Sequence, residues 1–365
     1  MLKKLIKGNN AIAEAAMKAG CRCFFGYPIT PQNELIEHMA KEMPKMENGV
    51  FVQAESEVAA INMVMGASGA GARAMTSSSG PGLSLKQEGI SYIAGAELPA
   101  VIVNVMRAGP GLGGIQPAQS DYFQATKGGG HGDYNLLVYA PASVQEAADL
   151  TQKAFDRADF YRTPAMVLAD GVIGQMMEPC EIKEIDTSSE YDKSWAVTGR
   201  DATKEQQRIV NSLYLDPHKL NEHNKKLQEK FALISKNEVM YEANYCEDAD
   251  VILVAYGTAS RIARTAMNEV RKRGLNVGLF RPITVWPFPN QALKDLTKQA
   301  KAIIVVEMSA GQMLFDVKVT LEGSKPLFFV GEMGGILPST EQIVTEIEKV
   351  GDQQLWENHL QKLKC

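Results

Sequence analysis

The sequence predicts an α/β protein in which a doubly wound domain is followed by a smaller α/β domain. Three observations lead to this fold class. Short apolar runs alternate with amphipathic stretches through the first half of the chain, and the alternation returns after residue 249. The run PAVIVNVM at 99–106 is apolar almost throughout, which is typical of a parallel strand covered on both faces. The chain has 365 residues, which is enough for two such domains.

The first domain is predicted to cover residues 1–179. Its strands are rich in apolar residues, and its helices carry apolar residues at spacings of three and four. The stretch 73–97 holds a strand, a Gly/Ser turn and a helix in succession. The other predicted strands lie at 21–28, 49–57, 99–107, 136–143 and 164–170, and the other helices at 8–19, 31–41, 57–72 and 144–161.

The composition changes between 180 and 248, which is predicted to be a charged, partly helical connector. Its stretch 218–245 is polar and predicted to be helical; a mobile arm, a connector and a subunit contact would each fit. The second, smaller domain is predicted at 249–365. Its strands are predicted at 250–257, 276–283 and within 301–313, with a helix at 260–274.

Composition excludes several classes of protein. The formal net charge of −5 gives no sign of a nucleic-acid surface or a polybasic membrane anchor. No run of about 18 apolar residues could span a bilayer, and the first 20 residues lack the apolar core of a signal peptide. We therefore expect a soluble, cytoplasmic protein that binds neither nucleic acid nor membrane.

The cysteines do not form a recognisable framework. Five of them are scattered along the chain, and no CxxC ladder for zinc or iron–sulfur ligation is present. Cys21 and Cys23, the closest pair in the sequence, alternate along a predicted strand, which would turn both side chains to one face. We expect free thiols and no metal site on this chain, so any metal centre would lie elsewhere. The five are Cys21, Cys23, Cys180, Cys246 and Cys365.

Glu57 stands between a predicted strand and a helix made of small residues. A carboxylate at that junction can approach a bound heterocycle closely. Helix N-termini also favour negative charge, so a glutamate that merely starts the helix is the simpler interpretation. Glu55 lies two residues earlier and would share a face with Glu57 on a strand, so either carboxylate could be the functional one.

The motif TSSSGPG at 76–82 places hydroxyl groups and flexible backbone before a helix. Such turns can bind anions through exposed amides, but they also serve as ordinary strand-to-helix connections. The nearby GASGAG at 66–71 follows a helical pattern, so it fails the context test for a dinucleotide fingerprint, and a Walker A sequence is absent.

Arg107 ends the apolar strand and precedes the glycine-rich AGPGLGG. Ligands gather at the carboxyl ends of strands in open α/β sheets, where an arginine can bind a carboxylate through two parallel donors. A structural, salt-bridged arginine is the alternative. The loop GGGHGDYN at 128–135 is a poor match to a magnesium–diphosphate motif, and His131 is interpreted as a turn or interface residue.

The turn FFGYPITPQNE at 24–34 contains two prolines, Pro28 and Pro31, within four residues of a chain segment that leaves a strand. Proline fixes φ and restricts the residue before it, so this turn should be stiff. Pro31 is predicted to start the following helix. Thr30 would then present its hydroxyl from a fixed point at the carboxyl end of a strand.

Five motifs stand in an order that resembles the α subunit of 2-oxoacid:ferredoxin oxidoreductases, most closely the 2-oxoisovalerate (3-methyl-2-oxobutanoate) type. The resemblance covers nearly all of the chain and is loosest at 180–248. Each motif is weak by itself, and their shared order makes the resemblance specific. The motifs are GYPITPQNE, AESEVAA, TSSSGPGLSL, VIVNVMRAGPG and LFRPITVWPFP.

The resemblance implies an enzyme that oxidatively decarboxylates a 2-oxoacid to acyl-CoA and CO2 with thiamine diphosphate and passes the electrons to ferredoxin. The first domain would be a pyrimidine-binding domain and the second a transketolase C-terminal-like domain. A β subunit would carry the diphosphate-binding domain with Mg2+, and the iron–sulfur clusters would lie on partner subunits. Ferredoxin-like and γ subunits would be further partners. This chain would be active only with those partners.

The resemblance also implies roles for single residues. Glu57 would hydrogen-bond N1′ of the aminopyrimidine and favour its imino tautomer, and Arg107 and Thr30 would hold the substrate carboxylate. Arg281 and Trp286, in a segment with a structural or coenzyme A-related role, would be core or interface residues. Further substrate and cofactor contacts would come from Tyr27, Pro28, Ile29, Ser79 and Gly80.

Three alternatives stay open at this point. The substrate could be 2-oxoglutarate, although no basic residue for a distal carboxylate can be singled out from the sequence. The chain could be a scaffold subunit that has lost its site. A nucleotide-dependent α/β enzyme is disfavoured, because the Walker and Rossmann contexts are missing.

Overall fold

The computed structural model describes residues 3–185, 191–199 and 208–351. Helices and strands alternate through most of these ranges. The strands are β1 Lys4–Lys7, β2 Cys23–Gly26, β3 Val50–Gln53, β4 Ala74–Ser78, β5 Ala100–Met106, β6 Leu137–Tyr139, β7 Pro164–Asp170, β8 Met177–Cys180, β9 Tyr241–Asn244, β10 Val251–Ala255, β11 Val277–Pro282, β12 Thr284–Trp286, β13 Ala302–Glu307 and β14 Leu327–Gly331. The helices are α1 Gly8–Lys18, α2 Asn33–Glu42, α3 Glu57–Gly69, α4 Gly80–Gly95, α5 Tyr122–Thr126, α6 Val144–Tyr161, α7 Gly171–Gln175, α8 Pro217–Asn237, α9 Gly257–Lys272, α10 Asn290–Leu296, α11 Gln312–Leu321 and α12 Thr340–Gly351.

The larger sheet has seven strands in the order β12-β6-β7-β5-β4-β2-β3, all parallel except β12. Its central strand β5 is buried at every residue, as its continuous apolar run predicts for a strand covered on both faces. A short antiparallel pair, β1 with β8, lies beside it as a separate sheet. The parallel strands all direct their carboxyl ends to one edge, and that edge carries the site.

The smaller sheet has five strands in the order β14-β13-β10-β11-β9, and β9 is its antiparallel edge. The two sheets are connected by more than a linker. Strand β12 follows β11 in the chain, but it pairs with β6 and so completes the larger sheet. The proposed division of the chain at 179 and 248 remains a prediction.

Arg281 and Trp286 lie at this crossing point between the sheets. The guanidinium of Arg281 is 3% exposed and donates two hydrogen bonds to Glu146 on α6 (2.9 and 2.7 Å) and one to Glu242 on β9 (2.8 Å). The ring of Trp286 packs edge-on against Phe231 of α8. Arg281 therefore connects α6 to β9, and Trp286 connects α8 to β6 through its pairing with Val138.

Three local predictions were wrong. The predicted helix at 218–245 ends at Asn237, and Tyr241–Asn244 forms β9, where Arg264 and Arg281 pair with Glu242. Helix α2 begins at Asn33 with Gln32 as its N-cap, so Pro31 precedes the helix and does not start it.

The third concerns the cysteine pair. Cys21 is buried before β2 begins at Cys23, so the two do not alternate along one strand. Cys365 lies outside the described residues. Among the helices that the structure describes, none has the length and apolar character needed to cross a membrane.

A network of buried polar groups connects the two sheets. Gln119 donates to the carbonyl of Tyr256 (2.8 Å) and accepts from the amide of Met308 (3.0 Å). Asp170, at the end of β7, accepts from both the amide and the hydroxyl of Thr258 (2.8 and 2.6 Å). These groups are satisfied by one another, which a buried polar contact requires if it is not to destabilise the fold. We call Gln119, Asp170, Tyr256, Thr258 and Met308 the junction network.

Candidate functional site

Four neighbouring strands end at the same edge of the larger sheet, in the spatial order β5, β4, β2 and β3. The chain passes from β2 to β3 on one side and then returns to β4 on the other side of β2. This reversal is a topological switch point, and it opens a crevice outside the carboxyl ends of the strands. The predicted site residues follow these four strands: Tyr27 to Thr30, Glu57, Ser79 with Gly80, and Arg107.

The turn after β2 is fixed from several directions. The side-chain amides of Asn9 and Gln175 both donate to the carbonyl of Pro31, each at 2.8 Å. Gln32 is buried and accepts a hydrogen bond from the hydroxyl of Ser77 on β4 (2.5 Å). The predicted stiffness of this turn therefore has a tertiary cause beyond its two prolines. Sequence reasoning missed Asn9, Gln32 and Gln175.

Arg107 and Thr30 lie next to each other, as predicted. Nη1 of Arg107 donates to the backbone carbonyl of Thr30 (3.0 Å), and Nη2 donates to the carbonyl of Leu112 (3.1 Å). Nε is buried and has no partner among the described residues. A guanidinium has five N–H donors, so this group can still bind an incoming carboxylate. The Thr30 hydroxyl accepts from Asn33 (3.4 Å) and does not contact Arg107.

Glu57 is the first residue of α3 and is 7% exposed, whereas Glu55 is exposed in the loop after β3. The strand ends at Gln53, so the two carboxylates do not share a strand face. Ser56 caps the helix by accepting from the amide of Ala59 (3.2 Å). No donor among the described residues binds the Glu57 carboxylate, although it is nearly buried at a helix start.

The turn between β4 and α4 lies between Glu57 and Arg107. A Cβ placed on Gly82 would lie 2.4 Å from both Oε1 of Glu57 and Oγ of Ser78. One placed on Gly80 would lie 3.3 Å from the Arg107 side chain. Both glycines therefore allow the close approach of a functional side chain. The hydroxyl groups of Thr76, Ser78 and Ser79 are buried and have no partner among the described residues.

The remaining predicted site residues make fewer contacts with Glu57 and Arg107. Tyr27 and Pro28 are exposed, Ile29 is partly buried, and none of the three hydrogen-bonds through its side chain to Glu57 or Arg107. The structure therefore brings together Arg107, Thr30 and Gly80 on one side and Glu57 with the serine turn on the other.

A cavity of about 870 Å3 opens beside Arg107, between the two halves of the chain. The first half contributes Ala108, Pro110 and Asp121, and the second contributes Met308 and Met333. Burial raises the pKa of the Asp121 carboxyl group, and hydrogen bonds from Asn104 and the Gly80 amide oppose this shift. Sequence reasoning missed this wall, because nothing local signals that distant loops meet there.

The loop at 128–135 has no role in this geometry. His131 is exposed, and its backbone carbonyl accepts from Ser91 (2.7 Å). In the part of the chain that the structure describes, no group of three or more His, Cys, Asp or Glu side chains is placed to hold a metal ion.

Comparison with known proteins identifies the family that this chain matches. The model of the family "Pyruvate flavodoxin/ferredoxin oxidoreductase, thiamine diphosphate-binding" matches residues 14–243. The model "Pyruvate:ferredoxin oxidoreductase core domain II" matches residues 249–343. These two matches confirm the predicted fold class, a thiamine diphosphate-binding type of domain followed by a second α/β domain.

Two relatives are similar along nearly their whole length. Ketoisovalerate oxidoreductase subunit VorB of Methanothermobacter thermautotrophicus is 51% identical over 96% of this chain and 98% of its own length. 2-Oxoglutarate synthase subunit KorA of Methanocaldococcus jannaschii is 36% identical over 94% of this chain and 98% of its own.

Solved structures show the same architecture. The 2-oxoglutarate:ferredoxin oxidoreductase from Magnetococcus marinus, solved with 2-oxoglutarate, coenzyme A and succinyl-CoA, superposes with a TM-score of 0.84 at 28% identity. The match covers 95% of this chain and 65% of that one. A split-gene transketolase matches with a TM-score of 0.58 at 13% identity, which shows the shared fold alone. The chain therefore belongs to the pyruvate flavodoxin/ferredoxin oxidoreductase family and is a subunit of a 2-oxoacid:ferredoxin oxidoreductase.

Proposed function

We propose that this chain binds the pyrimidine half of thiamine diphosphate and, with a β subunit, oxidatively decarboxylates a branched-chain 2-oxoacid to acyl-CoA and CO2. Ferredoxin takes the electrons. One observation carries the proposal most directly. A nearly buried carboxylate, Glu57, has no donor and stands beside buried hydroxyl groups that have no partner. Buried polar groups are normally satisfied, so this set indicates a ligand surface.

The residues present fit the pyrimidine of thiamine diphosphate. Glu57 can accept a hydrogen bond from a protonated ring nitrogen, because its carboxylate is not engaged by the protein. The serine turn at 78–79 adds hydroxyl groups that can either donate or accept. Gly82 leaves room beside the carboxylate that a Cβ would fill. Pro28, Ile29 and Gly80 would supply the remaining contacts to the ring.

When bound, thiamine diphosphate supplies a nucleophilic carbon and an electron sink for decarboxylation. The chain's own residues do the rest. Glu57 holds a proton at N1′ and so selects the tautomer that can act as a base. Arg107 binds the substrate carboxylate through its remaining N–H donors, and Thr30 and Tyr27 complete that site. A positioned acid–base group of this kind contributes about 10²–10⁴-fold to the rate.

The cavity favours an apolar substrate side chain. Among its described lining residues, Arg107 is the one basic side chain, and Met308, Met333, Ala108 and Pro110 form an apolar wall. A 2-oxoglutarate molecule would need a second cation for its distal carboxylate. The 51% identity with a ketoisovalerate oxidoreductase subunit, against 36% with a 2-oxoglutarate synthase subunit, supports 2-oxoisovalerate.

The alternative substrate, 2-oxoglutarate, rests on a specific observation. The superposed Magnetococcus marinus enzyme was solved with that acid bound. A β subunit could contribute the missing cation, since this chain forms only part of the pocket in our proposal. The modest figure of about 1–3 kcal/mol per methylene applies only to monocarboxylic acids such as pyruvate and 2-oxoisovalerate in an apolar pocket.

The remaining components belong to partner chains in this proposal. The β subunit carries the diphosphate-binding domain with Mg2+, and the ferredoxin-like and γ subunits carry the iron–sulfur clusters. Coenzyme A reaches the site as a co-substrate. The assembly is cytoplasmic.

A substrate panel tests the proposal. The chain would be coexpressed with its partner subunits, and viologen reduction would be measured with coenzyme A and each of three acids, namely pyruvate, 2-oxoglutarate and 2-oxoisovalerate. We expect the highest kcat/KM with 2-oxoisovalerate. A preference for 2-oxoglutarate would support the alternative, and no reduction with any 2-oxoacid would contradict both.

A binding experiment separates a catalytic subunit from a scaffold. Thiamine diphosphate would be titrated calorimetrically into the complex with native chain and with Glu57→Gln. We expect the substitution to weaken binding, because the ring nitrogen loses its acceptor. Equal affinity in both would mean that this chain only scaffolds the complex.

A further inference from the structure

A buried lysine lies between α3 and α4 and has no part in the function described so far. Lys86 has no exposed surface. Its ammonium group donates one hydrogen bond, to the backbone carbonyl of Glu57 at 3.3 Å, and among the described residues it forms no direct ion pair. Lysine is almost never fully buried unless it is paired, so this placement needs a reason.

The packing of the two helices keeps Lys86 from reaching solvent. Gly82, Lys86 and Gly89 are spaced by four and three residues, so they lie on one face of α4. A Cβ on Gly82 would lie 2.4 Å from Oε1 of Glu57, and one on Gly89 would lie 2.5 Å from Cγ2 of Ile61. The helix α3 therefore lies close against this face on either side of the lysine. The long side chain cannot extend to the surface in the way exposed lysines do.

Within the described part of the chain, the charge of Lys86 has one nearby counterpart, the Glu57 carboxylate. Burial lowers the pKa of Lys86 to about 8, and the attraction of the Glu57 carboxylate opposes that shift. Strand β5, which also packs on α4, carries no ionisable side chain. The ionisable groups on the other packed elements include Asp170, which is bound by Thr258, the exposed His131 and Asp133 of the 128–135 loop, and the buried Tyr134 of that loop.

We propose that Lys86 is a positioning residue that holds the Glu57 carboxylate fixed at the start of α3, where it can accept a hydrogen bond from a ring nitrogen that carries a proton. This inference rests on the proposed function, because Lys86 acts only through Glu57. The ammonium group binds the backbone of Glu57 and attracts its side chain electrostatically. It therefore acts on the position and the electrostatic surroundings of that carboxylate without contacting the cofactor.

The proposal predicts that the effect of a substitution at Glu57 on stability depends on the side chain at position 86. If Glu57 loses its charge, Lys86 becomes a buried cation without a counterpart, which is strongly destabilising. If Lys86 is replaced by an apolar side chain of similar volume, that cost disappears. Lys86→Met is suited to this test, since methionine is unbranched and favours helices.

A double-mutant cycle measures this dependence without any cofactor. Urea unfolding would be followed on the full chain carrying Glu57→Gln, Lys86→Met and both together. We expect Glu57→Gln to lower the unfolding midpoint and Lys86→Met to restore it, with a coupling of about tenfold or more in the unfolding equilibrium constant. The same cycle with Glu55→Gln serves as the control. Because Glu55 is exposed, the stability changes caused by Glu55→Gln and Lys86→Met should be additive.

A spectroscopic measurement tests the consequence at the cofactor. The iminopyrimidine band in circular dichroism would be titrated against pH in the complete complex, with native chain and with Lys86→Met. Removing a neighbouring positive charge raises the proton affinity of the site, so the midpoint should move up by about one to two pH units. Lys86→Gln should shift it in the same direction, which guards against a fold effect of one variant.

The outcomes separate this inference from the proposed function. An additive cycle, or an unmoved pH midpoint with cofactor bound, would overturn the role of Lys86. If thiamine diphosphate does not bind at all, the proposed function fails, while the cofactor-free cycle still decides whether Lys86 and Glu57 are coupled.

Discussion

Buried polar groups are hydrogen-bonded in the junction network, whereas at the strand ends that carry the predicted site residues several of them lack partners among the described residues. In the junction network, Gln119 and Asp170 are matched to donors and acceptors from the other half of the chain. At the strand ends, Ser78, Ser79 and Nε of Arg107 are buried without partners. An unsatisfied buried polar group destabilises the fold by about 1–3 kcal/mol. Such groups are therefore expected where hydrogen bonds to a ligand offset that loss.

The difference separates two roles that composition alone does not distinguish. Both regions combine Asp or Glu with hydroxyl and amide groups, and both lie where the halves of the chain meet. The satisfied region stabilises the fold, and the unsatisfied region is available for binding. Substitutions in the first should change stability and leave activity per folded molecule unchanged, and substitutions in the second should lower activity per folded molecule.

The largest effect is expected from Glu57→Gln in the complete complex. Turnover should fall about 10²–10⁴-fold, because the amide cannot hold a proton at the cofactor's ring nitrogen. The measurement is kcat at saturating thiamine diphosphate. Glu55→Gln is the matched control and should change little, since Glu55 is exposed. Near-normal turnover in Glu57→Gln would remove Glu57 from the chemistry.

Arg107→Lys should raise the KM for the 2-oxoacid about 10- to 100-fold. Lysine cannot reproduce the planar fork, and hydrogen bonds to charged groups contribute about 1.5–3 kcal/mol. Steady-state kinetics with the preferred acid would measure it. Arg273→Lys, half exposed and paired with Glu348, is the control. An unchanged KM would mean that Arg107 only binds the Thr30 and Leu112 carbonyls.

Gly82→Ala should weaken thiamine diphosphate binding about tenfold. The new Cβ would lie 2.4 Å from Oε1 of Glu57, so the carboxylate must move; a displacement that loses one hydrogen bond costs about 1 kcal/mol. Titration calorimetry with the complex provides the affinity. Gly66→Ala in α3 meets no atom within 4 Å and should bind normally. Equal affinities in the two variants would contradict the placement of Glu57.

Asp170→Asn tests the junction network, in which the buried polar groups are satisfied. Asp170 accepts from the amides of Val172 and Ile173 as well as from Thr258, and asparagine offers only one acceptor oxygen. The free energy of unfolding should fall by about 1–3 kcal/mol in urea titrations. The kcat per folded molecule should be unchanged. A loss of activity without a loss of stability would place Asp170 among the functional groups.

The smallest effect concerns Glu97, which ties α8 to the first half of the chain. Burial alone would raise its pKa, but hydrogen bonds from Lys226 and Lys230 outweigh burial and lower the pKa to about 2. A depressed folded pKa contributes stability above the unfolded value of 4.5, and this is lost as the pH falls from about 4.5 to about 2. In Glu97→Gln the unfolding free energy should depend less steeply on pH in that window. An unchanged slope would mean that these ion pairs contribute nothing measurable.

Much of the fold and part of the site could be predicted from the sequence. The predicted helix 144–161 has the observed bounds, because Ser143 caps an amphipathic run. Arg107 and Glu57 were predicted as site residues because a charged residue stood directly after an apolar strand or between a strand and a helix, and the structure places both at the carboxyl-end edge of the larger sheet. Strand β9 was missed, since an edge strand with polar side chains has no apolar periodicity.

The rest could not be predicted because it depends on tertiary contacts. Lys86 looks like a surface lysine in the sequence and is buried only because Gly82 and Gly89 bring α3 close to it. The wall formed by Met308 and Met333 requires knowledge of how the second half of the chain lies against the first. No local pattern carries that information.

The pairing of β12 with β6 also affects how the protein is made. Synthesis proceeds from the amino terminus, yet the edge of the larger sheet is completed only when residues 284–286 have emerged. Until then the backbone of β6 presents open donors and acceptors, which invite pairing with other chains. The growing chain therefore passes through a period in which the first half has been synthesised completely but its sheet edge is still exposed to aggregation. A separately expressed first half would stay in that condition permanently.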